Sequence, residues 1–155
     1  MQNKTEAAME NFHQPIIRLA QVADAVKLKG INDLFNEKDD TTLSELETSL
    51  RENKNEIVVC ADIGTSFVGI CYISIINTVS FNWRYCFITE LFVQKEYRKR
   101  GISKALMKFA ENELIKIGIK KTFLWVDESN EKARKLYTSL GFTEMPDAIM
   151  CMREY

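Results

Sequence analysis

A chain of 155 residues is about one domain long and can bury a core without disulfide or metal staples. Twenty-one Lys and Arg against twenty-two Asp and Glu leave a net charge of −1, which excludes a globally basic nucleic-acid binder. No uncharged apolar run nears the ~18 residues of a membrane span, no apolar signal segment opens the chain, and four cysteines stand singly without a C-x-x-C; these point to a cytoplasmic chain with buried free thiols, no zinc and no membrane contact. Two prolines and six glycines, none clustered, leave no linker, so one domain over 1–155 is expected, with residues 1–13 loosely ordered and His13 given no role.

PIIRL (15–19) reads as a short strand. Ala23, Val26, Ile31, Leu34 and Phe35 recur at helical spacing up to the charged break EKDD. Thr42 and Glu45 have capping-box spacing ahead of a second helix, with Leu43, Leu46 and Leu50 on one stripe. EIVVCAD (56–62) and FVGICYISII (67–76) read as a hairpin with apolar residues on both faces, and YCFITELFV (85–93) as a third long strand. A basic loop then opens a long helix with Ile102, Ala105, Leu106, Phe109, Ala110, Leu114 and Ile117 inward, ending at Gly118. TFLWVD (122–127) is a strand, Ser129 can cap the next helix with its stripe Ala133, Leu136, Tyr137 and Leu140, and Thr143 to Glu154 is expected as a last strand. The order βααβββαβαβ is that of a mixed α/β layer protein.

The segment Val93 to Lys104 is where strand gives way to helix across Gly101, with five basic residues against one acidic between Lys95 and Lys104. Unpaired N–H groups at such a helix start carry the positive end of the dipole and suit a phosphate. The alternative is a solvated basic helix start without a ligand.

Arg98-x-x-Gly101-x-Ser103 between strand and helix resembles the pyrophosphate loop of the GNAT N-acetyltransferase superfamily, Q/R-x-x-G-x-G/A, with Ser103 standing where Gly or Ala is usual. Asn130-x-x-Ala133-x-x-Leu136-Tyr137-x-x-x-Gly141-Phe142 resembles that superfamily's second signature, and the two blocks lie in the expected order and separation. The resemblance is good over about 56–145 and covers the first two helices by topology alone. It implies a central mixed, mostly antiparallel, splayed sheet with helices on both faces. It also implies acetyl-CoA as cosubstrate, its pantetheine paired to backbone at Phe92 and Val93 and bonded by Asn130. The pyrophosphate would lie on Arg98, Lys99, Arg100, Gly101, Ile102 and Ser103.

Acetylation expels a thiolate and needs an amine that has lost its proton. The family position assigns Tyr137 as the acid for the sulfur; its place on the inward stripe also allows a pure packing role. Glu90, the one charged residue in YCFITELFV, is the candidate base, acting directly or through water. Strand alternation puts it on the face of Cys86, Ile88 and Phe92; pairing with a nearby Arg or Lys is the alternative reading. Thr89 is a weaker polar contributor, and Cys86 lacks a neighbouring histidine to make it a nucleophile.

The expected partner is an amine acceptor, a small molecule or a protein. The aromatic residues Phe81, Trp83 and Tyr85 with Asp39 and Asp40 could line its site or form a homodimer contact. A non-catalytic CoA-binding or regulatory module on the same fold is the competing reading, and a nucleic-acid binder resting on the Lys95–Lys104 cluster ranks third.

Overall fold

The computed structural model describes residues 14–36, 40–80, 82–147 and 151–153; His13, Asp39 and Phe81 lie outside them. The chain divides into two compact units, Met1–Trp125 and Val126–Tyr155. In the first, β1 (Ile16–Leu19) and a 3₁₀ turn (Val22–Asp24) lead into α1 (Ala25–Phe35) and α2 (Leu43–Glu52). Then come β2 (Glu56–Asp62), β3 (Phe67–Ile76), β4 (Arg84–Val93), a second 3₁₀ turn (Lys95–Tyr97), α3 (Ile102–Lys116) and β5 (Ile119–Leu124). The second unit holds α4 (Glu131–Ser139).

The strands follow chain order, β1-β2-β3-β4-β5, antiparallel throughout except for the parallel β4–β5 pair that α3 crosses over to make. One face of the sheet, carrying Val58, Cys60, Ile70 and Tyr72, is covered by Ala25, Leu28 and Ile31 of α1 and Leu46 of α2. The opposite face packs on α3. There Gly69 lets the helix close in, since a Cβ at that position would stand 3.1 Å from Leu106 and 3.2 Å from Ile102. A mixed, mostly antiparallel sheet with helices on both faces is therefore what forms.

Several local expectations need correction. α1 buries Ala25, Leu28, Ile31 and Asn32, while Val26 and Leu34 are exposed. The helix begins only after the 3₁₀ turn, so its inward stripe is out of phase with one counted from Ala23. Ala105 is exposed and Met107 is buried on α3. β5 spans Ile119–Leu124, three residues earlier at each end than the run TFLWVD (122–127). The cap of α4 is Asn130, whose Oδ1 accepts from the Ala133 N–H at 3.2 Å, while the Ser129 hydroxyl bonds Asp127. No strand forms among the described residues after Phe142, where Pro146 removes a ladder donor. Cys60, Cys71 and Cys86 are buried free thiols, but Cys151 is exposed.

A charge cluster ties β1 to α1 and β2. The Arg18 guanidinium donates to both Asp24 oxygens at 2.6 and 2.7 Å and to Asp62 at 2.6 Å, and Lys27 donates to Asp62 at 3.0 Å. Both carboxylates are buried. The hydrogen bonds from Arg18 hold the Asp24 carboxyl below its ordinary value. At Asp62 burial works upward, but the bonds from Arg18 and Lys27 outweigh it. A depressed native pKa adds stability above the unfolded value near 3.8 and loses it as the pH falls through the native value. Melting temperature should therefore drop on acidification below about pH 4. Arg18→Ala, which leaves buried Asp24 without a cationic partner and Asp62 with Lys27 alone, should cost about 3 kcal/mol at pH 7 and flatten that acid limb, as denaturant melts at several pH values would report.

Candidate active site

β4 and β5 stay paired only from Arg84↔Ile119 to Ile88↔Leu124. Beyond Ile88 the strand β4 runs on to Val93 with β3 on one side and no β5 partner on the other, so the two strands part there. Gln94 N–H bonds the Val68 carbonyl at 2.9 Å on the β3 side. By alternation along an antiparallel ladder, Phe92 then also points its backbone groups at β3, while Leu91 and Val93 turn theirs to the free edge. Of the two residues expected to offer backbone to a ligand, Val93 faces that edge and Phe92 does not; Leu91, which the sequence reading passed over, does. The Val93 carbonyl is engaged by Arg98 Nε at 2.8 Å, and the Arg98 guanidinium lies 5.9 Å over the Phe92 ring.

The loop after β4 is a strained, electropositive turn. Gln94 anchors its start through Nε2 to the Phe67 carbonyl at 2.8 Å. Lys99 adopts φ 61, the sole non-glycine residue with positive φ among the described residues, and Gly101 follows at φ 78 as the N-cap of α3. The N–H groups of Ile102, Ser103 and Lys104 open the helix with no intrahelical acceptor, the first such bond running from Ala105 to the Gly101 carbonyl at 3.0 Å. Arg98, Lys99, Arg100 and Gly101 are exposed around that helix start, whereas Ile102 is buried against the sheet and Ser103 is half-buried. Left-handed backbone, helix-start amides and three cations together fit a phosphate or pyrophosphate.

Glu90 lies on this same stretch of β4, and its neighbours differ from those expected by simple alternation. Tyr72 pairs with Glu90 but Ile73 pairs with Ile88, so Thr89 is the extra residue of a β-bulge. Its hydroxyl turns back to the Tyr72 carbonyl at 3.4 Å. The bulge reverses the facing: Glu90 shares its face with Phe92, Tyr85 and Phe87, while Cys86 and Ile88 occupy the α3 face. Glu90 is exposed. Next to it, Tyr72 donates to buried Asn32 at 2.6 Å and Phe92 packs on Phe35 with centroids 5.2 Å apart, so α1 backs this part of the face. Cys86 is fully buried, donates to Thr122 Oγ1 at 3.3 Å, and has its thiol pushed up by burial, none of which suits a nucleophile.

In the second unit, Asn130 is held as the cap of α4, and Tyr137 lies half-buried two turns further along, edge-on to Phe142 at 5.9 Å. Arg134 braces the end of the unit through a two-point pair with Glu144 at 2.7 and 2.9 Å. Capping fixes the Asn130 oxygen and leaves its Nδ2 hydrogens to serve a ligand.

The model of the acetyltransferase (GNAT) family matches residues 25–142. Among solved structures, an aminoglycoside acetyltransferase from an uncultured soil metagenomic sample, determined with sisomicin, aligns with a TM-score of 0.78 at 15% identity, covering 90% of this chain and 95% of that one. A ribosomal-protein-alanine N-acetyltransferase from Brucella melitensis biovar Abortus 2308 aligns at 0.73 and 18%, covering 90% and 99%. A protein described as a possible acetyltransferase from Clostridium difficile 630 aligns at 0.69 and 22%, covering 92% and 99%. No curated protein matches the chain.

Proposed function

The chain belongs to the acetyltransferase (GNAT) family and is an N-acetyltransferase, and on that premise we propose that one domain over 1–155 moves an acetyl group from acetyl-CoA to a primary amine by direct attack in a ternary complex. The observation that carries the proposal is the turn from Arg98 to Ser103: positive φ at Lys99 and Gly101, helix-start amides without an intrahelical acceptor and three exposed cations lie together at the end of a strand whose edge has no β5 partner. Acetyl-CoA supplies the acetyl thioester when bound. Leu91 and Val93 offer backbone to its pantetheine arm, the Arg98–Ser103 turn holds its pyrophosphate, and Asn130 bonds the arm through its amide hydrogens.

Glu90, exposed at the bulge, takes the proton that the amine gives up, directly or through one water. The amine nitrogen bonds to the acetyl carbon as the C–S bond breaks, its electron pair going to sulfur. Tyr137 hands its phenolic proton to that sulfur and regains one from solvent. The roles of Asn130 and Tyr137 rest on the match of their own helix to the family signature.

Free thiol released from acetyl-CoA across a panel of amines tests the reading, and CoA binding without release would favour the regulatory module instead. Glu90→Gln keeps shape and removes the base, so turnover should fall roughly 10²-fold with acetyl-CoA affinity unchanged. Its activity should recover as the pH rises far enough to free the amine. An unaltered pH–rate profile in that variant would count against Glu90.

A further inference from the structure

The face of the sheet that carries Glu90 also carries five aromatic rings in contact, all from β4, β5 and their ends. Trp83 lies 6.0 Å from Tyr85, and Tyr85 meets Phe87 and Phe123 edge-on at 6.1 and 5.9 Å. Phe87 stacks on Phe123 at 5.3 Å and on Trp125 at 5.9 Å. Trp125 is 61% exposed although tryptophan has more apolar surface to hide than any other residue. The ladder ends at opposite charges. Lys121, the register partner of Tyr85, sets its ammonium 5.2 Å over the Trp83 ring. Glu90 follows Phe87 as the next β4 residue on this face, past the bulge.

We propose that this ladder is the acceptor platform and that the acceptor is the N-terminus of a peptide with apolar or aromatic residues after the first. The proposal rests on the acetyl-transfer reading and names its substrate class. Two features select the peptide. From Glu90 back to Tyr85 is about 15 Å along the strand, the length of roughly five extended residues and more than a simple arylamine spans. A second cation, as on a polyamine or an aminoglycoside, would meet Lys121 at the far end, whereas an acidic residue near position five would pair with it. Apolar side chains two to four residues from the amine would lie on Trp125, Phe87 and Phe123, and transfer proceeds as above, with the α-amine nitrogen as the attacking atom.

Thiol release with acetyl-CoA should be compared for the peptides Ala-Phe-Leu-Phe-Glu, Ala-Phe-Leu-Phe-Lys and Ala-Ser-Gly-Ser-Glu, and for spermidine and kanamycin. The first peptide should have the highest kcat/KM, about tenfold above the polar peptide. Trp125→Ala changes an exposed side chain, so the fold should hold; it should raise KM for the first peptide several-fold and leave KM for the polar peptide unchanged. Lys121→Glu should reverse the order of the Glu- and Lys-ended peptides. Equal rates for apolar and polar peptides, or a Trp125→Ala variant with wild-type KM, would overturn the platform. Turnover of spermidine or kanamycin but of no peptide would overturn the substrate class and leave acetyl transfer standing. Thiol release with none of the five, from protein that binds acetyl-CoA, would overturn the acetyl-transfer reading and this inference with it.

Discussion

Tyr137→Phe should lower turnover by about 10- to 10⁴-fold while acetyl-CoA affinity and melting temperature stay near those of the unsubstituted protein. The ring remains, so its edge-on contact with Phe142 at 5.9 Å remains, and only the hydroxyl is lost. A packing role predicts another pattern. Tyr137→Ala would then carry the damage, costing about 1 kcal/mol or more through the lost ring contact, and Phe would be silent. Steady-state rates with an accepted amine, read beside thermal melts of both variants, separate the two. A Phe variant with the wild-type rate would leave water to protonate the departing sulfur.

Gly101→Glu should abolish most of the thermal shift given by acetyl-CoA. A ligand at a hundred times its Kd stabilises by about 2.7 kcal/mol, which for a domain of this size is on the order of 5–10 °C in Tm. Any side chain at φ 78 is strained, and a carboxylate there opposes the phosphates at the helix start. No atom lies within 4 Å of a Cβ built at Gly101, so the substitution acts through conformation and charge rather than by a clash. Gly101→Ala shares the strain without the charge and should keep part of the shift. An undiminished shift in the Glu variant would mean that the pyrophosphate lies elsewhere.

Much of this architecture is local in origin and could be read along the chain. The β2 and β3 boundaries, the capping box at Thr42 and Glu45, and the start of α3 after Gly101 follow from apolar runs, cap residues and glycine at fixed spacings. The two signature blocks were equally plain, because the pyrophosphate turn needs contiguous backbone and neighbouring charges. The phase of α1 was not, since it depends on a 3₁₀ turn held by an ion pair from Arg18, six residues before Asp24.

The family's two motifs, the fold class and the candidate residues Glu90, Tyr137 and Arg98–Ser103 are all legible along the chain. How β4 presents them depends on its pairing with β3 and β5. The bulge at Thr89 shows itself in the register against β3 and leaves no mark on the alternation of TELFV, yet it moves Glu90 off the Cys86 face and onto that of Tyr85 and Phe87. The free edge belongs to Leu91 and Val93 because β5 stops at Leu124, and which backbone groups face it depends on pairing with β3. The aromatic ladder joins residues 83–87 to 123–125 across a parallel strand pair, and such a pair exists only once α3 has carried the chain back across the sheet.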